Sequence, residues 1–215
     1  MTGPDLSSAR FYAILDTGYV DSNRWPETCR QLITGGADLI QLRAKKESAD
    51  RRRELLETIL PLFEPAGTPP LIVNDDIDLC LEYPELGLHV GQEDLPAAEA
   101  RERLGPDRIL GLSTHSVEQA RGAISLADQL SYFAVGPVFA TPTKPDYAAV
   151  GLDLVRRVAE LRPARPFFCI GGIKRDNVRE VLNAGAERIV VVSDVLEDSD
   201  PAGVVRTYRD ILPAA

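Results

Sequence analysis

The feature that most restricts the fold of this chain is an alternation. Over 215 residues, eight short β-branched or apolar runs each give way to a segment with helical spacing. The strand-like runs are Phe11 to Asp16, Asp38 to Arg43, Pro70 to Asn74, Leu86 to Gly91, Arg108 to Ser113, Tyr132 to Val138, Pro166 to Gly171 and Glu187 to Ser193. The helical segments are Trp25 to Gly35, Ser48 to Ala66, Ile77 to Tyr83, Pro96 to Leu104, Val117 to Leu126, Leu152 to Leu161, Asp176 to Ala184 and Pro201 to Ile211. Runs such as Leu71-Ile72-Val73 and Ile189-Val190-Val191-Val192 are apolar at every position, as strands are when helices cover both faces of a parallel sheet. Gly35-Gly36 and Gly185 suit left-handed C-terminal caps, while Ser116 and Asp176 stand where N-caps belong.

This alternation predicts an α/β fold, a closed (β/α)8 TIM barrel with residues 1–215 as a single domain. A doubly wound open sheet is the second architecture with the same alternation. The barrel is preferred because polar clusters follow nearly every strand, whereas an open sheet gathers them at one crevice. The clusters are Gln41-Leu42-Arg43-Ala44-Lys45, Asn74-Asp75, Gly91-Gln92-Glu93-Asp94, Ser113-Thr114-His115, Thr141-Pro142-Thr143-Lys144, Gly171-Gly172 and Ser193. On parallel strands they would all project from one end of the sheet.

A formal charge of −9 argues against a nucleic-acid partner, since phosphate backbones are bound through excess Lys and Arg. Any anion must meet a local positive pocket, and Arg43, Lys45 and Lys144 are the candidates. The run Arg51-Arg52-Arg53 reads instead as a solvated helix start. Cys29, Cys80 and Cys169 lie in apolar surroundings with no C-x-x-C pair and read as buried free thiols. Met1 to Arg10 lacks a basic segment followed by an apolar stretch, and no run reaches membrane-spanning length, so no membrane partner and a cytoplasmic location are expected. Monomer and homo-oligomer are both left open.

Asp75 and Asp94 would end the third and fourth strands side by side. Paired carboxylates suit Mg²⁺, a hard ion held by one or two carboxylates, water and substrate phosphate. Arg43 and Lys45 alternate along the end of the second strand, so both can face one way, and a guanidinium with an ammonium makes a diphosphate clamp that Lys144 could close. The segment Phe139 to Val150 has neither period and is a candidate lid. Gly171-Gly172 with Ser193 matches the common barrel phosphate site, where loop amides and a short helix start receive a phosphoryl group. Phosphorylated small molecules are therefore the expected partners. His89 reads as a satisfied core histidine, and His115 as either an acid–base group or a rim residue.

In this order, Q-L-R-x-K, N-D, G-Q-E-D, G-L-S-T-H, G-P-V-F-x-T-P-T-K and I-G-G-I resemble the thiamine phosphate synthase (thiamine-phosphate pyrophosphorylase) family from about Phe11 to Leu212. The resemblance implies a Mg²⁺-dependent transferase that joins hydroxymethylpyrimidine diphosphate to a thiazole phosphate, releasing diphosphate. It implies that Gln41, Arg43, Lys45, Asn74, Ser113 and Lys144 hold the pyrimidine diphosphate, with Arg43, Lys45, Ser113 and Lys144 as the catalytic groups. Asp75 and Asp94 would hold Mg²⁺, and Thr141, Thr143, Gly172, Val192 and Ser193 the thiazole phosphate. The implied chemistry is dissociative: diphosphate leaves first, and the thiazole nitrogen captures a pyrimidine-stabilised cation.

The chain departs from the family pattern at Ala44, Asp76 and Asp194, and its first strand ends Asp16-Thr17 where Thr-Asp is usual. Asp76 and Asp194 would add negative charge beside the expected anions, and Asp194 would repel a phosphate unless it points away. Two further readings share the fold: an isomerase related to thiazole tautomerases, with a histidine at the place of His115, and a non-catalytic binder of thiazole phosphate. Neither needs a diphosphate clamp.

Overall fold

The computed structural model describes residues 5–141 and 148–214. Eight parallel strands close into a barrel: β1 (Phe11–Asp16), β2 (Leu39–Arg43), β3 (Leu71–Asn74), β4 (Gly87–Val90), β5 (Leu110–Thr114), β6 (Tyr132–Val135), β7 (Phe167–Ile170) and β8 (Ile189–Val191). Each pairs with the next, and β8 returns to β1 in the register Tyr12 to Val190. The ring is covered by α1 (Trp25–Gly35), α2 (Ala49–Ile59), α3 (Ile77–Glu82), α4 (Ala97–Leu104), α5 (Val117–Ser125), α6 (Gly151–Glu160), α7 (Val178–Asn183), α8 (Ser193–Leu196) and α9 (Pro201–Ile211). Among the described residues, no helix is long and apolar enough to cross a membrane.

The closed ring decides for the barrel over the open sheet. Helices lie on the barrel through stripes at helical spacing, such as Leu154, Val155 and Val158 on α6 or Val204, Val205 and Tyr208 on α9. The three cysteines are buried and free, and burial pushes the Cys29 and Cys80 thiols up to about 12. They are inert packing groups.

Several boundaries differ from the sequence reading, β6 for one ending at Val135 and not Val138, and three of the differences have a local reason. The segment Ser48 to Ala66 is not one helix: α2 stops at Ile59 and a 3₁₀ stretch covers Leu60–Phe63, because Pro61 has no N–H to continue the ladder. Asp176 is not the cap of α7; Asn177 precedes the helix, accepting from the Lys174 amide (2.8 Å) and donating to the Gly172 carbonyl (2.9 Å). Ser193 does not end a strand; β8 stops at Val191 and Ser193 opens α8. The other caps hold: Ser116 accepts from the Gln119 amide, and Gly36 (φ 92°) and Gly185 (φ 100°) are left-handed after their helices.

The face of the barrel at the strand N-termini is knitted by arginines that bind loop carbonyls. Arg101 donates to the carbonyls of Gln129, Gly105 and Arg108, and Arg108 to those of Leu86, Cys80 and Tyr83. Arg10 donates to Ser7 and Ala9, and Arg188 to Ser7. These side chains satisfy backbone groups that the loops would otherwise leave orphaned. Asp38 ties the same face together: its Oδ2 accepts from the Arg10 amide (2.7 Å), the Phe11 amide (2.8 Å) and the Arg209 guanidinium of α9.

Replacing Asp38 by Ala would strand two amides and a guanidinium at the point where β1, β2 and α9 meet. Asp38→Ala should lower the unfolding free energy by about 2–3 kcal/mol, read as a reduced urea midpoint at unchanged slope. Asp38→Asn, which keeps a carbonyl acceptor, should lose less.

Candidate active site

At the other end of the barrel, alternate residues of the strands face inward and enclose a cavity. Two-residue spacing puts Tyr12 and Ile14 of β1, Gln41 and Arg43 of β2, and Val190 and Val192 around β8 on its wall. The cavity and the open space at its mouth together make up about 820 Å³.

Charged groups collect on the side of β2 to β4. Arg43 is paired through Nη1 with the buried Asp16 at the end of β1. Lys45 Nζ lies 3.3 Å from Asp75 Oδ2, and the Asn74 amide donates to the same oxygen at 2.6 Å. Asp75 adopts φ 63°, an uncommon backbone setting for a residue with a side chain and one that clusters at functional sites. Asp94 accepts from the Gly91 amide at 2.8 Å. Its carboxyl stands within hydrogen-bonding reach of Asp75, whose own carboxyl is raised above the usual range by burial first and by Asp94 second.

Two carboxylates that disfavour each other's charge, with a lysine at one edge, fit a divalent cation that also takes phosphate oxygens. They do not form an all-protein cage: among the described residues, no three His, Cys, Asp or Glu side chains converge.

The opposite side, from β6 to β8, is built for close approach of backbone. Gly172 has φ 63°, and a Cβ there would lie 2.7 Å from Phe139 Cβ and 2.8 Å from the Ala140 carbonyl. The β6 loop is pinned against it, with the Val138 amide on the Ile170 carbonyl and the Phe139 amide on that of Gly171. Ser193, opening α8, and Thr141 share the cavity wall.

The two unusual carboxylates point away from the cavity. Asp194 Oδ2 accepts from Arg175 Nε (3.0 Å) and from the Tyr208 hydroxyl (2.7 Å). Asp76 caps α3 through the Leu79 amide and pairs with Arg52 Nε at 2.7 Å. The expectation that they add charge beside the anions is therefore corrected. The Arg51-Arg52-Arg53 run opens α2 with exposed ion pairs at Arg51 and Arg53, as expected of a solvated helix start, while Arg52 is turned to Asp76.

The floor between the two sides is polar. His89 is buried, with Nδ1 2.9 Å from the Tyr132 hydroxyl and Nε2 2.9 Å from Ser113 Oγ. Tyr132 is 2.9 Å from the Tyr12 hydroxyl, which accepts from Gln41 Nε2 at 2.7 Å. Gly111 makes room for this contact, since a Cβ there would lie 2.2 Å from the Tyr132 ring and 2.6 Å from His89 Nδ1. His115 lines the cavity with its Nδ1 against the Gly136 carbonyl.

Of the residues predicted for the site, Gln41, Arg43, Asn74, Ser113, Thr141, Gly172, Val192 and Ser193 line one cavity. Lys45, Asp75 and Asp94 are linked to its β2–β4 edge through Asn74. Thr143, Lys144 and half of the candidate lid fall within 142–147, outside the described residues. Sequence reasoning missed the roles of Asp16, Tyr12, Tyr132 and Gly111. Asp16 at a strand end and a glycine inside a strand were the available signals.

The profile of the thiamine monophosphate synthase family matches residues 11–195. The thiamine-phosphate synthase of Acidothermus cellulolyticus is 40% identical over 210 residues, covering 98% of both chains. That of an Arthrobacter species is 42% identical over 230 residues, covering 97% of this chain and 96% of its own. Among solved structures, thiamine phosphate pyrophosphorylase from Pyrococcus furiosus superposes with a TM-score of 0.81 at 31% identity over 95% of each chain. A 3-hexulose-6-phosphate synthase, at 16% identity and a TM-score of 0.66, shares the fold alone. With its motifs gathered at one end of a closed barrel and its relatives matching nearly end to end, this chain belongs to the thiamine monophosphate synthase family.

Proposed function

We propose that this protein is a Mg²⁺-dependent transferase that joins hydroxymethylpyrimidine diphosphate to a thiazole phosphate, giving thiamine phosphate and diphosphate. The observation that carries this reading is one cavity with two unlike sides: Arg43 on one, with Lys45 and the paired carboxylates Asp75 and Asp94 at its edge, and on the other the Gly172 backbone and Ser193 at a helix start. An isomerase or a thiazole phosphate binder would need only the second side, and the relatives, named as synthases, give those alternatives no support.

In this reading Arg43, Lys45 and Lys144 receive the diphosphate, and Gln41, Asn74 and Ser113 fix the pyrimidine end. Asp75 and Asp94 would hold Mg²⁺, which when bound neutralises charge gathering on the departing diphosphate. The C–O bond to diphosphate breaks with its electron pair leaving on oxygen, and the thiazole nitrogen then supplies the pair for the new C–N bond. Thr141, Thr143, Gly172, Val192 and Ser193 would seat the thiazole phosphate so that the nitrogen is already adjacent, favouring capture over attack by water. Arg43 is aimed by Asp16, and Asp75 by Asn74 and its own backbone, so the groups meeting the diphosphate are oriented before it arrives.

The direct test is diphosphate release with both substrates and Mg²⁺, repeated with EDTA and without thiazole phosphate. Metal-dependent release matched by thiamine phosphate is expected; thiazole phosphate binding without release would overturn the transferase reading. Asp75→Asn and Asp94→Asn should each lower turnover by roughly 10²-fold to 10³-fold with little change in melting temperature, and near-normal turnover in both would remove the metal assignment. Ser193→Asp should weaken thiazole phosphate binding in calorimetry by about tenfold or more; unchanged affinity would take Ser193 out of the site.

A further inference from the structure

The buried contacts beneath the cavity form an unbroken chain across the barrel: Gln41 of β2, Tyr12 of β1, Tyr132 of β6, His89 of β4 and Ser113 of β5. The direction of each bond follows from the first. The Gln41 amide is set with Nε2 toward Tyr12, and in that orientation the nitrogen can only donate, so the Tyr12 oxygen accepts and its one proton goes to Tyr132. Tyr132 in turn gives its proton to His89 Nδ1. His89 is then the tautomer protonated on Nε2, which donates to Ser113 Oγ, and the Ser113 proton is left for the cavity that Ser113 lines.

The reverse direction fails at Tyr12. If Tyr132 donated to Tyr12, the Tyr12 oxygen would accept twice and its own proton would have no acceptor, at a residue 1% exposed between the Tyr132 and Phe168 rings. A stranded buried hydroxyl costs more than the bond it displaces. An imidazolium at His89 fails for the same reason, since it would donate from both nitrogens and force Tyr132 to turn back. Both phenols keep their protons, because burial raises them above the usual tyrosine range.

We propose that Gln41, Tyr12, Tyr132 and His89 form a directional hydrogen-bond chain that holds Ser113 as a proton donor toward the phosphorylated substrate, with Tyr12, Tyr132 and His89 as positioning residues. The substrate's identity rests on the function proposed above; the direction of the chain does not. Ser113 thus meets an anionic or lone-pair atom with its hydroxyl already turned, and it cannot serve as a base through His89, whose Nε2 carries a proton. Gly111 belongs to the same device, because any side chain there would part Tyr132 from His89.

The chain has two histidines, so imidazole ¹⁵N NMR on the full-length protein without substrates reads the proposal directly. His89 should be neutral, bare at Nδ1 and protonated at Nε2, while His115, held against a carbonyl, should carry its proton on Nδ1. A His115→Asn sample assigns the two signals. A proton on Nδ1 of His89 would overturn the chain's direction. Tyr132→Phe removes the donor to Nδ1 together with the acceptor of the Tyr12 proton: the single tautomer should be lost, and kcat should fall about tenfold with a smaller change in KM.

In a Ser113→Ala background the Tyr132→Phe effect on kcat should disappear. Additive effects would mean that the hydroxyl acts by packing alone, and the positioning role would be withdrawn. If Tyr132→Phe does not fold, Tyr12→Phe crossed with Ser113→Ala decides the same question. The tautomer is measured without turnover, so failure of the transferase assay and failure of this proposal are separate results.

Discussion

Closing eight parallel strands into a ring removes every sheet edge and forces alternate residues of all eight strands toward a shared axis. That constraint places the rest of the molecule. With two-residue spacing, Tyr12, Gln41, His89 and Ser113 come from four different strands yet reach one floor, and no local sequence relation links them. An interior filled wholly by branched apolar side chains would be the simpler way to pack a barrel. Here part of that interior is polar, and it is tolerable because each member has a partner within 2.9 Å. The polar floor and the closed ring are mutually dependent: opening the sheet would separate β1 from β8 and expose Tyr12.

A chain of net charge −9 that receives phosphorylated molecules must keep most of its carboxylates from the anions. It does so by pairing them outward. Asp194, one residue into α8, is turned to Arg175 and Tyr208, and Asp76, beside the charged cluster, is turned to Arg52. Three carboxylates stay near the cavity's β2–β4 edge. Asp16 aims Arg43, while Asp75 and Asp94 face each other where a divalent ion fits. The departures at Asp76 and Asp194 are therefore absorbed by ion pairs outside the cavity.

The eight strands were legible from periodicity, because apolar runs such as Ile189-Val190-Val191 have few other solutions, whereas α8 was not among the eight helical segments read from the sequence. Gly171-Gly172 and Arg43, singled out from the sequence, do line one cavity, with Lys45 at its edge. What could not be read was pairing that depends on ring geometry. Asp16 looked like the end of a strand, and only the β1–β2 register, which sets Asp16 opposite Arg43, makes it that arginine's partner. His89 was read as a satisfied core histidine, which its two bonds support, but its satisfaction comes from Tyr132 and Ser113, residues far away in sequence. Pro61 marked the break in α2 in plain view; the helical period around it masked a local rule.

The two faces of the barrel use arginine in opposite ways, and the difference separates stability from binding. At the strand N-termini, Arg101 and Arg108 distribute their donors over several loop carbonyls, which completes the backbone's hydrogen bonding and leaves these groups committed. At the strand C-termini, Arg43 is held through Nη1 by one buried carboxylate, its partner among the described residues. A guanidinium carries five donors in a rigid plane. Fixing one edge of that plane orients the rest without using them, and a planar fork aimed into a cavity suits the oxygens of a phosphate. A lysine could replace the charge of Arg43 but not this arrangement, in which one edge is anchored to β1 and the side chain lines the cavity.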